Sequence, residues 1–166
     1  MAEADLSLLD ARVAEALASI PVPFEVVACD EDKADTADFC AAYGYSLSES
    51  ANTIVVVGKS DPPVYAACVL LADTRLDVNK TVKQRLGTRK ASFAPSDASV
   101  ALTRQTPGGI TPVGLPANLP LWVDAAVMTR DRIILGGGNR RSKILAPPAL
   151  LTALGAETVD GLALRG

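Results

Sequence analysis

The sequence predicts an α+β fold with a mixed sheet flanked by helices, and three observations carry that prediction. Two runs, ANTIVVVG and PVYAACVLLA, are almost continuously apolar, as strands buried on both faces tend to be. The strand-like segments cluster without a regular βαβ rhythm, which argues against a doubly wound fold. An amphipathic segment at the N-terminus supplies a helix to cover one side of the sheet.

The elements follow in order. Leu6, Leu9, Val13, Ala16 and Leu17 recur near the i, i+3, i+4, i+7 spacing, predicting a helix within residues 1–22 that Pro21 and Pro23 stop. PFEVVACD reads as a short strand. Asp35 or Thr36 is placed to cap a helix through TADFCAAYG, with Gly44 as its C-terminal stop. The two apolar runs come next as central strands around the turn-like KSDPP. Asp77 is placed to cap a basic helix through VNKTVKQRL that ends at Gly87, KASFA reads as a strand, and Pro95 opens a helix through SDASVALT. LPLWVDAAVM gives a strand and a helical turn, RIILGGG and SKILA a hairpin, PPALLTAL a last helix and ETVDGLAL a last strand. The 166 residues, 49% of them hydrophobic, are one domain's length with enough apolar content for a core. One domain over residues 1–166 is therefore expected.

Composition excludes whole classes of chemistry. There is no histidine, which removes Ser-His-Asp and Cys-His catalysis and every histidine-bearing metal site. Cys29, Cys40 and Cys68 are odd in number and form no C-x-x-C pair, so they read as buried small hydrophobes and no metal is expected. No apolar run approaches the roughly 20 residues that cross a bilayer, and the acidic N-terminus lacks the basic start of a secretion signal. The cytoplasm is the expected compartment, with no membrane partner. The net charge of −3 hides an asymmetry: residues 1–61 carry twelve acids against three bases, −9, and residues 62–166 thirteen bases against seven acids, +6. The bases gather in Arg75–Lys90 and Arg130–Lys143, where they form either a solvated face or contacts to nucleic acid.

The most constrained stretch is QTPGGITPVGLP, Gln105 to Pro116, with Pro107, Gly108, Gly109, Pro112, Gly114 and Pro116 in twelve residues. Glycine permits positive φ or close approach, and proline prevents relaxation into helix. The product is a stiff loop with bare amides, suited to a carbonyl or an oxyanion. A structural corner is the plainer reading of the same residues. Gly136–Gly138, followed by Asn139, Arg140 and Arg141, matches neither G-x-G-x-x-G nor a Walker A and sits between two strands, so it reads as a hairpin turn. Asp73 and Asp77 read as capping and solvated carboxylates, and no G-x-S-x-G elbow is present.

The order GGITPVGLP, LPLWVD, IILGGGNRRSKILAPPALLTAL resembles the YbaK-type aminoacyl-tRNA deacylases, relatives of the editing domain inserted in bacterial prolyl-tRNA synthetases. The resemblance runs from about Ala34 to Leu164, and its most specific element is G-x-x-x-P, matched by Gly108 and Pro112; Asp124 and the GGGN turn support it. It implies a partly barrel-like mixed sheet and hydrolysis, without cofactor, of the ester in a mischarged tRNA carrying a small amino acid. It also implies an acceptor-end partner and an association with a synthetase. By the same resemblance the Gly108 amide, with Gly109 and the rigidifying Pro112, meets the ester carbonyl or positions water. Asn52 and Thr53 stand where the family has a Lys-Thr or Lys-Ser pair holding the tRNA 3′ phosphate. Thr111, Asp124, Gly137 and Asn139 complete the implied binding set, and Lys80 or Arg140, with Arg141, are candidates to replace the missing charge. The second reading is a module binding tRNA, a nucleotide or a synthetase that keeps the fold without hydrolysis, and Asn52 in the lysine's place is the feature that favours it.

Overall fold

The computed structural model describes residues 5–165; the first four residues of the expected N-terminal segment and Gly166 lie outside that range. In chain order the described strands are β1 Glu25–Ala28, β2 Ala51–Gly58, β3 Val64–Leu71, β4 Thr74–Leu76, β5 Ala91–Phe93, β6 Leu121–Asp124, β7 Ile133–Gly136, β8 Ser142–Ala146, β9 Glu157–Val159 and β10 Ala163–Arg165. The α-helices are α1 Ala11–Ala18, α2 Thr36–Tyr43, α3 Lys83–Leu86, α4 Ser96–Thr103 and α5 Ala149–Ala153.

The main sheet has the order β5-β2-β3-β6-β9. β2 and β3 pair antiparallel along their whole length, while β3 with β6 and β6 with β9 are parallel, so the sheet is mixed as expected. β1-β8-β7 form a second, antiparallel sheet. A parallel bridge between Ser50 and Ile134, with Ile134 N–H donating to the Glu49 carbonyl at 2.9 Å, links the two sheets at one corner. They do not close into a barrel.

The apolar runs explain this arrangement. Along β3, Val69 and Leu71 enter one buried cluster, while Ala66, Cys68 and Leu70 enter another on the opposite face. A strand covered on both sides has no position to give to a polar residue, hence its unbroken apolar sequence. The first cluster gathers Val13 and Leu17 of α1, Val123 of β6, Ile133 and Leu135 of β7, Ile144 of β8 and Leu150 and Leu151 of α5. The outer face of the smaller sheet carries Ile134 and Leu145 under Phe39 of α2.

Four local expectations are corrected. The N-terminal helix breaks into a 3₁₀ turn, Leu6–Leu8, and α1, because the Asp10 carboxylate accepts from Arg12 N–H at 3.1 Å and starts a new helix there. Asp35 occupies the N-cap position of α2, yet its carboxylate goes to Arg140 instead of a helix amide. Asp77 heads a π-helical turn, Val78–Val82, before α3, and accepts from the Thr81 hydroxyl at 2.9 Å instead of capping. The expected last strand folds back at Gly161, φ 73°, so that β9 joins β6 while β10 pairs with β4, a strand the sequence did not reveal. A three-residue strand leaves too little pattern to be seen.

Leu135 is fully buried between the sheets and α1. Leu135→Ala is expected to cost about 2–5 kcal/mol in a urea unfolding experiment, through lost burial and the cavity left behind.

Candidate functional site

The loop Gln105–Pro116 connects α4 to β6, and one buried side chain holds it. Gln105 is almost fully buried; its Oε1 accepts from Thr111 N–H at 2.8 Å and its Nε2 donates to the Val113 carbonyl at 2.9 Å. Both halves of the carboxamide are used, which closes the loop into a ring around residues 106–110. The loop is then fastened to the glycine turn after β7. Thr106 N–H donates to the Gly138 carbonyl at 3.0 Å, and Gly138 N–H donates to the Gly109 carbonyl at 2.7 Å. A side chain at Gly109 or Gly136 would meet the backbone of the other segment, so the two can lie this close only as glycine.

This fastening decides which amides stay available. Gly109 N–H is consumed by the Thr106 carbonyl at 2.9 Å. Among the described residues the amides of Gly108 and Ile110 have no partner in the chain, and both residues line a cleft of about 250 Å³. Gly108 has φ 82°, the left-handed region, and the Arg140 guanidinium occupies the space a side chain there would need.

The other walls come from β2, the start of α2 and β8. β5 borders β2 only from Val56 onward, and β7 bridges to Ser50 just before β2 begins, so the edge around Asn52 and Thr53 is uncovered by a strand and faces the cleft. Asn52 Oδ1 accepts from the Thr36 hydroxyl at 2.7 Å, which leaves its NH₂ free among the described residues. The Thr53 hydroxyl is buried without a partner among those residues. At the rim, Arg140 donates to Asp35 Oδ1 at 2.9 Å and to the Glu31 carbonyl at 3.0 Å; the hydrogen bond it gives to Asp35 raises the guanidinium's pKa above its ordinary value.

The cleft also holds a residue that sequence reasoning left among the surface bases. Lys143 of β8 is 7% exposed; its Nζ donates to the Ala34 carbonyl at 2.6 Å and lies 5.4 Å from the Phe39 ring centre. Burial lowers its pKa, and the charge of Arg140 acts in the same direction, against the opposing influence of Cys29, Asp35 and Cys40. The sequence did not mark it: Lys143 is the second residue of SKILA, a strand that the fold buries from end to end.

The remaining sequence candidates divide into scaffold and bystanders. Asn139 donates to the Leu8 carbonyl at 3.0 Å and accepts from Arg141 N–H and the Ser142 hydroxyl, so its side chain fixes the turn. The Gly137 carbonyl accepts from Asp10 N–H at 3.1 Å. Thr111 is buried behind the loop, and Pro112 borders a separate hollow with Ala16 and Ile20. Asp124 lies beside a larger hollow of about 520 Å³, where its carboxylate is taken up by the amides of Ala126 and Ala163. Lys80 is exposed on the π-helical turn and is not brought to the cleft. Among the described residues no three His, Cys, Asp or Glu side chains are grouped to hold a metal ion, and no helix is long and apolar enough to cross a membrane.

Gln105→Ala leaves two buried main-chain groups unpaired. It is expected to lower stability by about 1–3 kcal/mol per unpaired group and to speed hydrogen exchange at Thr111 N–H well beyond the change at core amides of β3.

Residues 30–154 match the aminoacyl-tRNA editing domain family. The chain is 28% identical over 126 residues, 75% of each protein, to an Enterococcus faecalis protein named "Putative Cys-tRNA(Pro)/Cys-tRNA(Cys) deacylase EbsC". Its fold matches the crystal structure of hypothetical protein APE2540 with a TM-score of 0.82 and 27% identity, covering 92% of this chain and 99% of that one. A crystal structure described as "a putative trans-editing enzyme for prolyl tRNA synthetase" shares the fold with a TM-score of 0.79 at 24% identity, covering 93% of this chain and 96% of that one. Residue pattern, architecture and family match agree, and the chain belongs to the aminoacyl-tRNA editing domain family.

Proposed function

We propose that the protein is a trans-editing aminoacyl-tRNA deacylase acting, in the cytoplasm, on the acceptor end of a mischarged tRNA that carries a small amino acid. The observation that carries this reading is the pair of unpartnered amides, Gly108 and Ile110, fixed at the cleft by the Gln105 clamp. Donors immobilised before the substrate arrives need no reorganisation when charge develops on a carbonyl oxygen. Water adds to the ester carbon, the carbonyl oxygen takes up negative charge against the Gly108 amide, and the bond to the ribose oxygen then breaks as that oxygen gains a proton.

No cleft side chain is an evident general base. Asp35 is engaged by Arg140, and Lys143 donates to the Ala34 carbonyl. The neighbouring ribose hydroxyl, or the amino acid's own side chain, is left to orient the water. Asn52 and Thr53 border the terminal nucleotide in this scheme; Gly109, Thr111, Pro112, Gly137 and Asn139 keep the loop rigid, and Arg140 stands at the mouth. A small amino acid such as alanine, serine or cysteine is the substrate class of this reading. A sieve for that class has a physical purpose, since a synthetase pocket separates substrates differing by one methylene by only about 1–3 kcal/mol. A working association with a synthetase belongs to the same proposal, as does one editing unit over residues 1–166.

The second reading, a binding module without hydrolysis, is favoured by Asn52, which puts a neutral amide bonded to Thr36 on the β2 wall.

Incubation with alanyl-, seryl- and cysteinyl-tRNA separates the two readings. The deacylase releases at least one amino acid well above the uncatalysed rate, whereas a blank on all three with tRNA still bound leaves the binding module. In a responsive assay, Gly108→Ala is expected to lower kcat by about a hundredfold or more, with the unfolding transition measured alongside to show that the chain still folds.

A further inference from the structure

We propose that Lys143, reaching in from β8, is the phosphate-binding group of the cleft, holding the phosphate on the 5′ side of the terminal adenosine. The inference rests on the editing reading for the nucleotide's identity; the geometry alone points to an anion.

An ammonium group has three protons to donate. Lys143 gives one to Ala34, and among the described residues the other two have no acceptor and no carboxylate is paired with it. A buried cation in that condition is costly unless something supplies the missing acceptors. Two charged residues line the cleft, Lys143 and Asp35, and Asp35 is already neutralised by Arg140. The interior field is therefore positive around Nζ. An aminoacylated adenosine brings one anion, its phosphate, and one cation, its α-ammonium group. The first is drawn toward Lys143 and the second is driven from it, so one lysine also sets which way round the substrate enters. The opposite wall fits this division: Asn52 offers a neutral NH₂ that hydrogen-bonds without adding charge.

The pH dependence follows from the surroundings. Facing Lys143 are the Phe39 ring, the Ala34 carbonyl, Arg140, Asp35, Cys29 and Cys40. Burial and Arg140 lower its pKa, so the free cleft loses its positive charge at a pH below that of an ordinary lysine. A bound phosphate favours the charged form. Affinity for the anion must then fall as pH rises through the lysine's pKa, with proton uptake on binding in that range.

The test compares adenosine 5′-monophosphate with adenosine by isothermal titration on the full chain. The wild type is expected to prefer the monophosphate by about tenfold or more, the worth of a charge-assisted hydrogen bond. Lys143→Met should lose that preference while keeping its affinity for adenosine. A wild type that binds the two alike, or a methionine variant that keeps the preference, overturns the proposal. If the variant does not fold, the wild type still decides: monophosphate affinity that declines from pH 7 to 10 in both wild type and Cys29→Ser supports Lys143, and a flat profile overturns it. Neither probe contains an ester. A blank in the deacylation assay with the phosphate preference intact thus refutes hydrolysis and leaves Lys143 in place, and the reverse pattern refutes only Lys143.

Discussion

The carboxamide of Gln105 is the interaction on which the site depends. By accepting from Thr111 and donating to Val113 it turns a glycine- and proline-rich segment into a closed ring with one shape. Everything catalytic in the proposed reading is main chain, and main-chain donors are only as well aimed as the loop that carries them. Glycine makes the needed backbone reachable but does not select it, since its conformational freedom is the largest of any residue. Proline narrows the choice, and the buried glutamine completes it. A side chain with a donor and an acceptor in fixed relation can satisfy an amide and a carbonyl together, which lysine, a donor only, could not do in that position.

The cleft's other half depends on how two sheets meet. β2 is the partner of β3 along its full length, but on its second edge it is bordered by β5 at one end and β7 at the other. The gap between them is where Asn52 and Thr53 face open space, and it exists because the sheets touch at a corner instead of continuing into a barrel. An exposed strand edge normally invites pairing with another chain. Here the glycine loop and the head of α2 stand across the gap, so that the edge becomes the wall of a binding site.

Much of this was legible in the sequence. The two apolar runs gave the central strands because double-sided burial writes itself as an unbroken pattern, and Gly44 and Gly87 ended their helices as αL stops. The density of glycine and proline between Gln105 and Pro116 marked the loop correctly as the most constrained stretch. What was hidden is what depends on contacts distant in sequence. Asp35 and Asp77 read as caps because local spacing allows it, yet their carboxylates found Arg140 and Thr81. Lys143 was counted with the surface bases because charge is usually solvated; only the packing of β8 under α2 reveals that this one is inside. Gln105 carried no signal as a clamp, since its partners are six and eight residues away in a segment with no periodicity.

The glycine turn after β7 faces two ways. On one side it receives the loop Gln105–Pro116, through Thr106 and Gly109. On the other it is tied to residues 7–10, where Asp10 donates to Gly137, Asn139 reaches Leu8, and Arg141 bonds the carbonyls of Ser7 and Leu8. The N-terminal strap is thus a foundation laid under the glycine- and proline-rich loop, one hydrogen-bonded layer removed from it. A tag, a cleavage or a partner that lifts the strap away from the turn would be felt at Gly108 without touching the cleft, which makes residues 7–10 a handle on a site more than 90 residues later in the sequence.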